Sequence, residues 1–182
     1  MKNLSISILL LFLVLASNGQ STTVKPATEV KWYTIQEAEK LTKESKKPLF
    51  IDAYTDWCGW CKKMDKDTFS NPVISDILNS KFIPVKFNAE GKEDINFLGQ
   101  KFINDGKAGN AHQLAVALLD GQLSYPTVVF LIVGSDGKIG RQQVPGYKEP
   151  KEMEMLLSFF GDKAYEKQSW DDFQKSFKGK IQ

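Results

Sequence analysis

Cys58 and Cys61 are the two cysteines of this 182-residue chain, and only Gly59 and Trp60 separate them. An apolar stretch at 49–54 precedes the pair, and a helix-compatible run follows it. A strand that delivers a dithiol to a helix N-terminus makes a reactive pair, because the positive end of the helix dipole and its free N–H groups favour a thiolate over a thiol. The spacing therefore predicts thiol–disulfide chemistry.

Two structural interpretations of the cysteine pair are weaker. A disulfide that closes so short a loop removes little unfolded-state entropy, roughly 2 kcal/mol in the chain-entropy model. A structural zinc needs about four Cys or His ligands, and the chain adds only His112 to its two cysteines. The sequence therefore predicts no metal site and no cofactor beyond the Cys58–Cys61 disulfide. We interpret the lone histidine as incidental to the chemistry.

Four further motifs accompany the cysteine pair in a fixed order along the chain. They are Asp52 six residues before Cys58, Val85-Lys86-Phe87-Asn88, Tyr125-Pro126-Thr127 and Val144-Pro145-Gly146. Together with Trp57-Cys58-Gly59-Trp60-Cys61-Lys62 they resemble the thioredoxin superfamily over about residues 30–160. The resemblance implies a thioredoxin-like fold and exchange of disulfides with proteins or peptides.

The position of the two sulfurs predicts a division of labour between them. Cys58 is nearer the helix N-terminus, and we expect it to be the more exposed, attacking thiolate. Cys61 lies a turn inside and is expected to resolve the mixed disulfide. The resemblance implies that Asp52 manages the proton on Cys61 and that Lys86 biases the charge of Asp52. An acid within an apolar strand is costly unless it has a role or a partner.

The resemblance also predicts a partner-binding surface. Trp57 and Trp60 should flank the dithiol and present apolar surface, with Gly59 between them. Pro126 is expected to form a cis peptide bond that holds the chain beside Cys58 and keeps the thiol from ligating metal. It would leave the backbone of Tyr125 free to pair with an extended partner. Gly146 falls where the superfamily has a glycine beside the site.

Trp60 departs from the superfamily pattern, since typical thioredoxins carry proline there. The departure leaves three functions open. The first is a thiol–disulfide oxidoreductase that reduces protein disulfides in the cell envelope. The second is a disulfide oxidase or isomerase on the same fold, and the third is a binding or holdase module whose dithiol is incidental.

The first residues predict export. Lys2 supplies a positive charge, 4–15 is almost wholly apolar, and 16–20 is small and polar. This pattern is typical of a signal peptide, here 1–19. The apolar run is shorter than the ~20 residues of a membrane span, and no cysteine near the cleavage region could carry a lipid. We expect a periplasmic or secreted protein, bacterial by the resemblance, without a stable membrane anchor.

After a polar linker at 20–28, the rest forms one domain of ordinary length, 29–182. The formal net charge of +2 predicts no nucleic-acid partner. We expect a monomer that acts on protein or peptide thiols and disulfides and takes electrons from an upstream donor in the envelope.

The pattern of apolar residues predicts an α/β fold, a mixed central sheet with helices on both faces. Expected strands are 49–54, 82–88, 127–133 and 138–144, with a hairpin turn at 135–137. Expected helices begin at Ile35, after the capping box at Thr34, and at Pro72, and others cover 62–67, 93–103, 150–160 and 169–177. An inserted segment, 104–124, carries a short helix at 111–119 and could shape partner docking. The last helix belongs to a C-terminal helical extension, 161–182.

Overall fold

The computed structural model describes residues 29–133 and 138–182. The predicted signal peptide, the linker and the hairpin turn at 135–137 therefore lie outside the described residues. None of the described helices is both long enough and apolar enough to cross a lipid bilayer.

The described residues form six α-helices and six strands. The helices are α1 (Ile35–Ser45), α2 (Gly59–Met64), α3 (Pro72–Lys81), α4 (Gln113–Leu118), α5 (Pro150–Gly161) and α6 (Trp170–Ser176). The strands are β1 (Leu49–Tyr54), β2 (Ile83–Asn88), β3 (Ile95–Phe97), β4 (Gln100–Phe102), β5 (Thr127–Val133) and β6 (Ile139–Pro145). A π-helical turn, Asp65–Phe69, continues directly from α2, and a 3₁₀ turn, Ala164–Glu166, follows α5.

The central sheet is mixed, as predicted. Its strand order is β2-β1-β5-β6, with β1 and β2 parallel and the other two pairs antiparallel. Neighbouring residues of β1 point to opposite faces: Ile51 packs in a cluster with α1 and α4, whereas Phe50 packs in a cluster with α3 and α5. Helices thus cover both faces, and β1 at the centre is buried on both sides.

Side chains that cap helix ends fix where the helices begin. Thr34 and Glu37 form the predicted capping box at α1. Asn71 accepts the Val73 N–H at 2.9 Å, and Pro72 occupies the first turn of α3. These caps are local, which explains why the sequence predicted both starts.

The helix predicted over 93–103 is wrong. This stretch forms a hairpin of β3 and β4, with Leu98 at φ 53° and Gly99 at φ 79° in its turn. Two consecutive positive φ values suit a tight hairpin turn and not a helix. Ile95 and Phe97 are buried and Leu98 is half exposed, which is the period of a strand.

The C-terminal helix packs against α5 through aromatic side chains. Trp170 and Phe173 lie 5.1 and 5.2 Å from Phe159, measured between ring centroids. These rings join the cluster on the α3–α5 face of the sheet. Trp170 and Phe173 therefore cover the core on this face.

Candidate active site

A disulfide joins Cys58 and Cys61 where β1 leads into α2, with 5.3 Å between the two Cα atoms. The Cys58 N–H donates to the Thr55 carbonyl oxygen at 3.1 Å, closing the turn after β1. Cys58 then occupies the N-cap of α2, and its Sγ accepts the Cys61 N–H at 3.1 Å. A free N–H of a helix terminus therefore points at the sulfur that would carry the thiolate.

The two cysteine residues do not differ in exposure in this disulfide form. Cys58 is 3% exposed and Cys61 is 2% exposed, so the predicted difference between them is absent here. Their asymmetry is one of position, because Cys58 caps the helix and Cys61 lies within its first turn.

Asp52 lies in the middle of β1 and is completely buried. It faces Lys86 across the parallel β1–β2 pair, and the Lys86 ammonium donates to Asp52 Oδ2 at 2.6 Å. Asp52 Oδ1 has no hydrogen-bond partner in the part of the chain that the structure describes. Burial raises the pKa of Asp52 to about 6, although Lys86 opposes the rise. The carboxyl can therefore gain or lose a proton near neutral pH.

Lys86 joins Asp52 to a second carboxylate, Asp65, at the start of the π-helical turn. Its ammonium lies 5.1 Å from the ring centroids of both Trp32 and Tyr54. Burial disfavours the charged ammonium, but the two carboxylates outweigh this and raise the pKa of Lys86. One cation therefore pairs with two anions, and one of these, Asp65, donates its backbone N–H to the Cys61 carbonyl oxygen. Sequence reasoning missed Asp65, although it stands four residues after Cys61, on the same helical face.

Two aromatic pairs occupy the exposed side of the disulfide. Trp57 is 68% exposed and its ring meets Tyr125 edge-on at 6.1 Å. Trp60 is 59% exposed and its ring lies 5.5 Å from Tyr147. Sequence reasoning missed Tyr147, and its place directly after the predicted Gly146 was the signal that could have found it.

The segment from Tyr125 to Pro126 carries the predicted cis peptide bond. Pro126 is buried, and its carbonyl oxygen accepts the Gly146 N–H at 2.8 Å, with Gly146 at φ 84°. Neither backbone polar group of Tyr125 makes a hydrogen bond to any other described residue. Gly59 is exposed, with open space where a side chain would begin.

His112 has a structural place away from the disulfide. It is fully buried at the N-cap of α4, where its Nδ1 accepts the Leu114 N–H at 3.1 Å. Its Nε2 therefore carries the proton and donates to the Glu93 carbonyl oxygen at 3.0 Å. Among the described residues, no group of three or more His, Cys, Asp or Glu side chains could hold a metal ion.

A mixed sheet with helices on both faces and a CxxC pair at the N-terminus of its second helix defines a thioredoxin-like protein of the thiol–disulfide oxidoreductase type. Solved structures agree on the fold. A thioredoxin from Thermus thermophilus superposes with a TM-score of 0.55 at 20% identity, covering 75% of this chain and 94% of that one. A thioredoxin-fold protein from Helicobacter pylori gives 0.52 at 21% identity, covering 71% and 78%.

Residues 18–136, more than half of the chain, match the model of the family Thioredox_DsbH, described as "Protein of unknown function, DUF255". The chain belongs to this family. It is similar to spermatogenesis-associated protein 20 from Mus musculus, with 31% identity over 93 residues, 50% of this chain and 12% of that protein. It is also similar to the thiol:disulfide interchange protein DsbD from Vibrio vulnificus CMCP6, with 33% identity over 61 residues, 32% of this chain and 10% of that protein.

The match to these relatives is partial in length. An uncharacterized Caenorhabditis elegans protein is 26% identical over 121 residues, which is 57% of this chain but 17% of that protein. The chain thus spans under a fifth of the length of the curated relatives named here.

Proposed function

We propose that the protein reduces disulfides of proteins or peptides in the cell envelope by dithiol exchange. One observation carries the proposal. The Cys58–Cys61 pair caps a helix, with the Cys61 N–H on Cys58 Sγ, on the same sheet-and-helix unit that buries the titratable carboxyl of Asp52. This arrangement supports attack by Cys58, resolution by Cys61 and proton transfer to Asp52.

The reaction starts from the reduced dithiol. The Cys58 thiolate attacks one sulfur of the partner disulfide, that S–S bond breaks, and the departing partner thiolate takes up a proton. Cys61 then gives its proton to Asp52, and its sulfur attacks Cys58 Sγ. The mixed disulfide breaks, and the second partner sulfur leaves as a thiolate. Two electrons pass to the partner, and the chain ends as the Cys58–Cys61 disulfide of this structure.

Asp52 suits the role of proton acceptor for Cys61. With a pKa of about 6, it is mostly an anion at pH 7 and can still be protonated within the same range. A solvent-exposed aspartate near pKa 3.9 would be a weaker base toward a thiol. The ion pair with Lys86 offsets part of the desolvation cost of the buried Asp52 anion.

The charges around the dithiol favour a reductase over an oxidase. A strong oxidant is one whose reduced form is stabilised, and a buried anion at Asp52 opposes further negative charge on the sulfurs. Lys62 is exposed to solvent, where its attraction is screened. Lys63 is paired with Asp67. Lys86 is shared between Asp52 and Asp65, so these three side chains keep one net negative charge when both carboxyls are ionised.

The place of action and the electron donor belong to the same proposal. The pattern of 1–19 supports export, and a reductase there must be recharged by a donor thiol, because its own disulfide forms at each turnover. Two exposed tryptophans beside the disulfide support a polypeptide partner over a small molecule.

Turnover of a protein disulfide with dithiothreitol as electron donor tests the proposal. We expect the wild-type protein to accelerate the reduction and Cys58→Ser to be inactive. Asn79→Ala is a matched control, since its contacts are to the N-terminal segment and not to any site residue. If the wild-type protein reduces the disulfide no faster than the Cys58→Ser variant, the proposed activity is contradicted and a binding module is the remaining function.

A further inference from the structure

Trp57 is held from two sides although most of its surface is exposed. Its indole N–H donates to Glu90 Oε2 at 3.1 Å, and its ring meets Tyr125 edge-on at 6.1 Å. Glu90 stands shortly after β2, and Tyr125 directly follows the inserted segment, 104–124. The two groups that fix Trp57 therefore border the part of the chain that separates β2 from β5.

The inserted segment is tied to the loop that carries Glu90. The Asn104 side-chain amide donates to the carbonyl oxygens of Glu90 at 3.3 Å and Gly91 at 3.0 Å. The same amide reaches the Asn110 carbonyl oxygen at 2.7 Å. A single half-buried side chain thus holds both the loop and the first turn of the inserted segment.

His112 adds a second attachment next to the first. Its backbone N–H donates to the Ala89 carbonyl oxygen at 2.8 Å, while its buried ring caps α4 and bonds to Glu93. The loop at 89–91 is therefore clamped by the inserted segment over its whole length. The Glu90 side chain starts from a fixed backbone when it meets Trp57.

We propose that the inserted segment is a positioning element for partner docking, in which Asn104 fixes the Glu90 loop and thereby orients Trp57 toward the polypeptide that carries the target disulfide. The inference rests on the proposed function and names a specificity determinant for it. An exposed tryptophan that is fixed before binding loses less conformational freedom when a partner covers it. Small disulfides can reach Cys58 without covering Trp57, so the orientation of Trp57 should not change their rate of reduction.

The prediction is a change in selectivity without a change in chemistry. In Asn104→Ala the KM for a polypeptide disulfide should rise roughly three- to tenfold, with kcat unchanged. The rate with hydroxyethyl disulfide, a small substrate, should stay at the wild-type value. Glu90→Ala should give the same pattern, and Glu90→Gln should restore the wild-type KM, because its amide oxygen can still accept the indole N–H.

Two comparisons separate this from a general loosening of the fold. Asn79→Ala, which also removes an asparagine bonded to the backbone, should leave both substrates unaffected. In a Trp57→Ala background, Asn104→Ala should have no further effect on KM, because Asn104 is proposed to act on partner binding only through Trp57.

The outcomes are distinguishable from those for the proposed function. Wild-type protein that turns over neither substrate contradicts the proposed function. Normal turnover, with an Asn104→Ala variant that keeps its selectivity or slows both substrates alike, overturns the positioning role alone. If Asn104→Ala does not fold, Glu90→Ala decides, because its side chain contacts Trp57 at the surface. An unchanged selectivity in that variant also overturns the inference.

Discussion

The two sides of the disulfide differ in composition: one has buried charged side chains and the other has exposed aromatic rings. Beneath it, Asp52 is fully buried and shares the Lys86 ammonium with Asp65. On its exposed side, Trp57 and Trp60 present more than half of their surfaces to solvent. Burying a charge costs folding free energy, and that cost depends on pH. Exposed aromatic rings carry no such cost and can bind apolar partners. On the proposed function, proton transfer at Asp52 and partner docking at the tryptophans would take place in separate parts of the site.

Substitutions should therefore sort by side. Changes beneath the disulfide should alter stability, pH dependence and the rate of resolution. Changes on the exposed side should alter the affinity for polypeptides and leave stability alone. Changes at the two cysteines, which lie between these sides, should alter exchange itself.

The largest effect is expected at the cysteines themselves. Cys58→Ser removes the attacking sulfur and should abolish exchange, while Cys61→Ser removes resolution and should accumulate mixed disulfides with partners. Non-reducing electrophoresis of both variants, taken from cells that express them, checks this. More trapped partner with Cys58→Ser than with Cys61→Ser would reverse the assignment.

Asp52→Asn should change how stability depends on pH. The rise of the Asp52 pKa from 3.8 to about 6 corresponds to about 3 kcal/mol of lost stability above pH 6. Below about pH 3 the carboxyl is mostly protonated in both the folded and the unfolded protein, so the cost is absent. The gain in stability from Asp52→Asn should therefore grow by about 3 kcal/mol between pH 3.5 and pH 7.5.

Denaturant unfolding of the disulfide form at several pH values measures this gain, and stopped-flow exchange should show slower resolution by Cys61. Asp67→Asn provides a control of opposite sign. The Lys63 ammonium lowers the pKa of half-buried Asp67, so the stability that the ionised Asp67 contributes is lost as pH falls. A gain for Asp52→Asn that does not vary with pH would contradict an ionised, buried Asp52.

Asp65→Asn tests whether the shared cation tunes the same carboxyl. Removing Asp65 leaves Lys86 to Asp52 alone and takes away a neighbouring negative charge, so the pKa of Asp52 should fall. Carboxyl NMR titration of the disulfide form gives the value directly, with Asp67→Asn as the control. An unchanged or higher pKa would show that Asp65 is a surface ion pair only.

The smallest effect on stability is expected on the exposed side. Trp60→Ala should change the free energy of unfolding by no more than about 0.5 kcal/mol, because its ring touches Tyr147 at the surface. The KM for a polypeptide disulfide should nevertheless increase. Thermal unfolding and steady-state kinetics on the same sample make the comparison, and a stability loss as large as that of a core variant would remove the distinction between the two sides.

The features that the sequence could predict depend on neighbouring residues or belong to recognised motifs. The capping box at Thr34 and the cap at Asn71 are written within a few residues, and both helix starts are confirmed. The pairing of Asp52 with Lys86 came from the resemblance, and the register of β1 and β2 places them opposite each other.

What it could not predict depends on contacts between distant residues. In 93–103, Ile95, Leu98 and Phe102 fit a helical spacing, but a hairpin buries Ile95 and Phe97 and exposes Leu98. Both patterns are present in the sequence, and tertiary packing decides between them. Glu90 is 33 residues from Trp57, and nothing in its local sequence shows that it holds the indole.

The reduction potential of the Cys58–Cys61 pair tests the central claim most directly. Equilibration with glutathione at fixed ratios, followed by alkylation of free thiols, gives the value. With Asp52 opposing extra negative charge, we predict a reducing pair, below about −200 mV and toward the −270 mV of thioredoxin. A value near −120 mV, that of a strong oxidant, would contradict the reductase and assign the protein to disulfide formation.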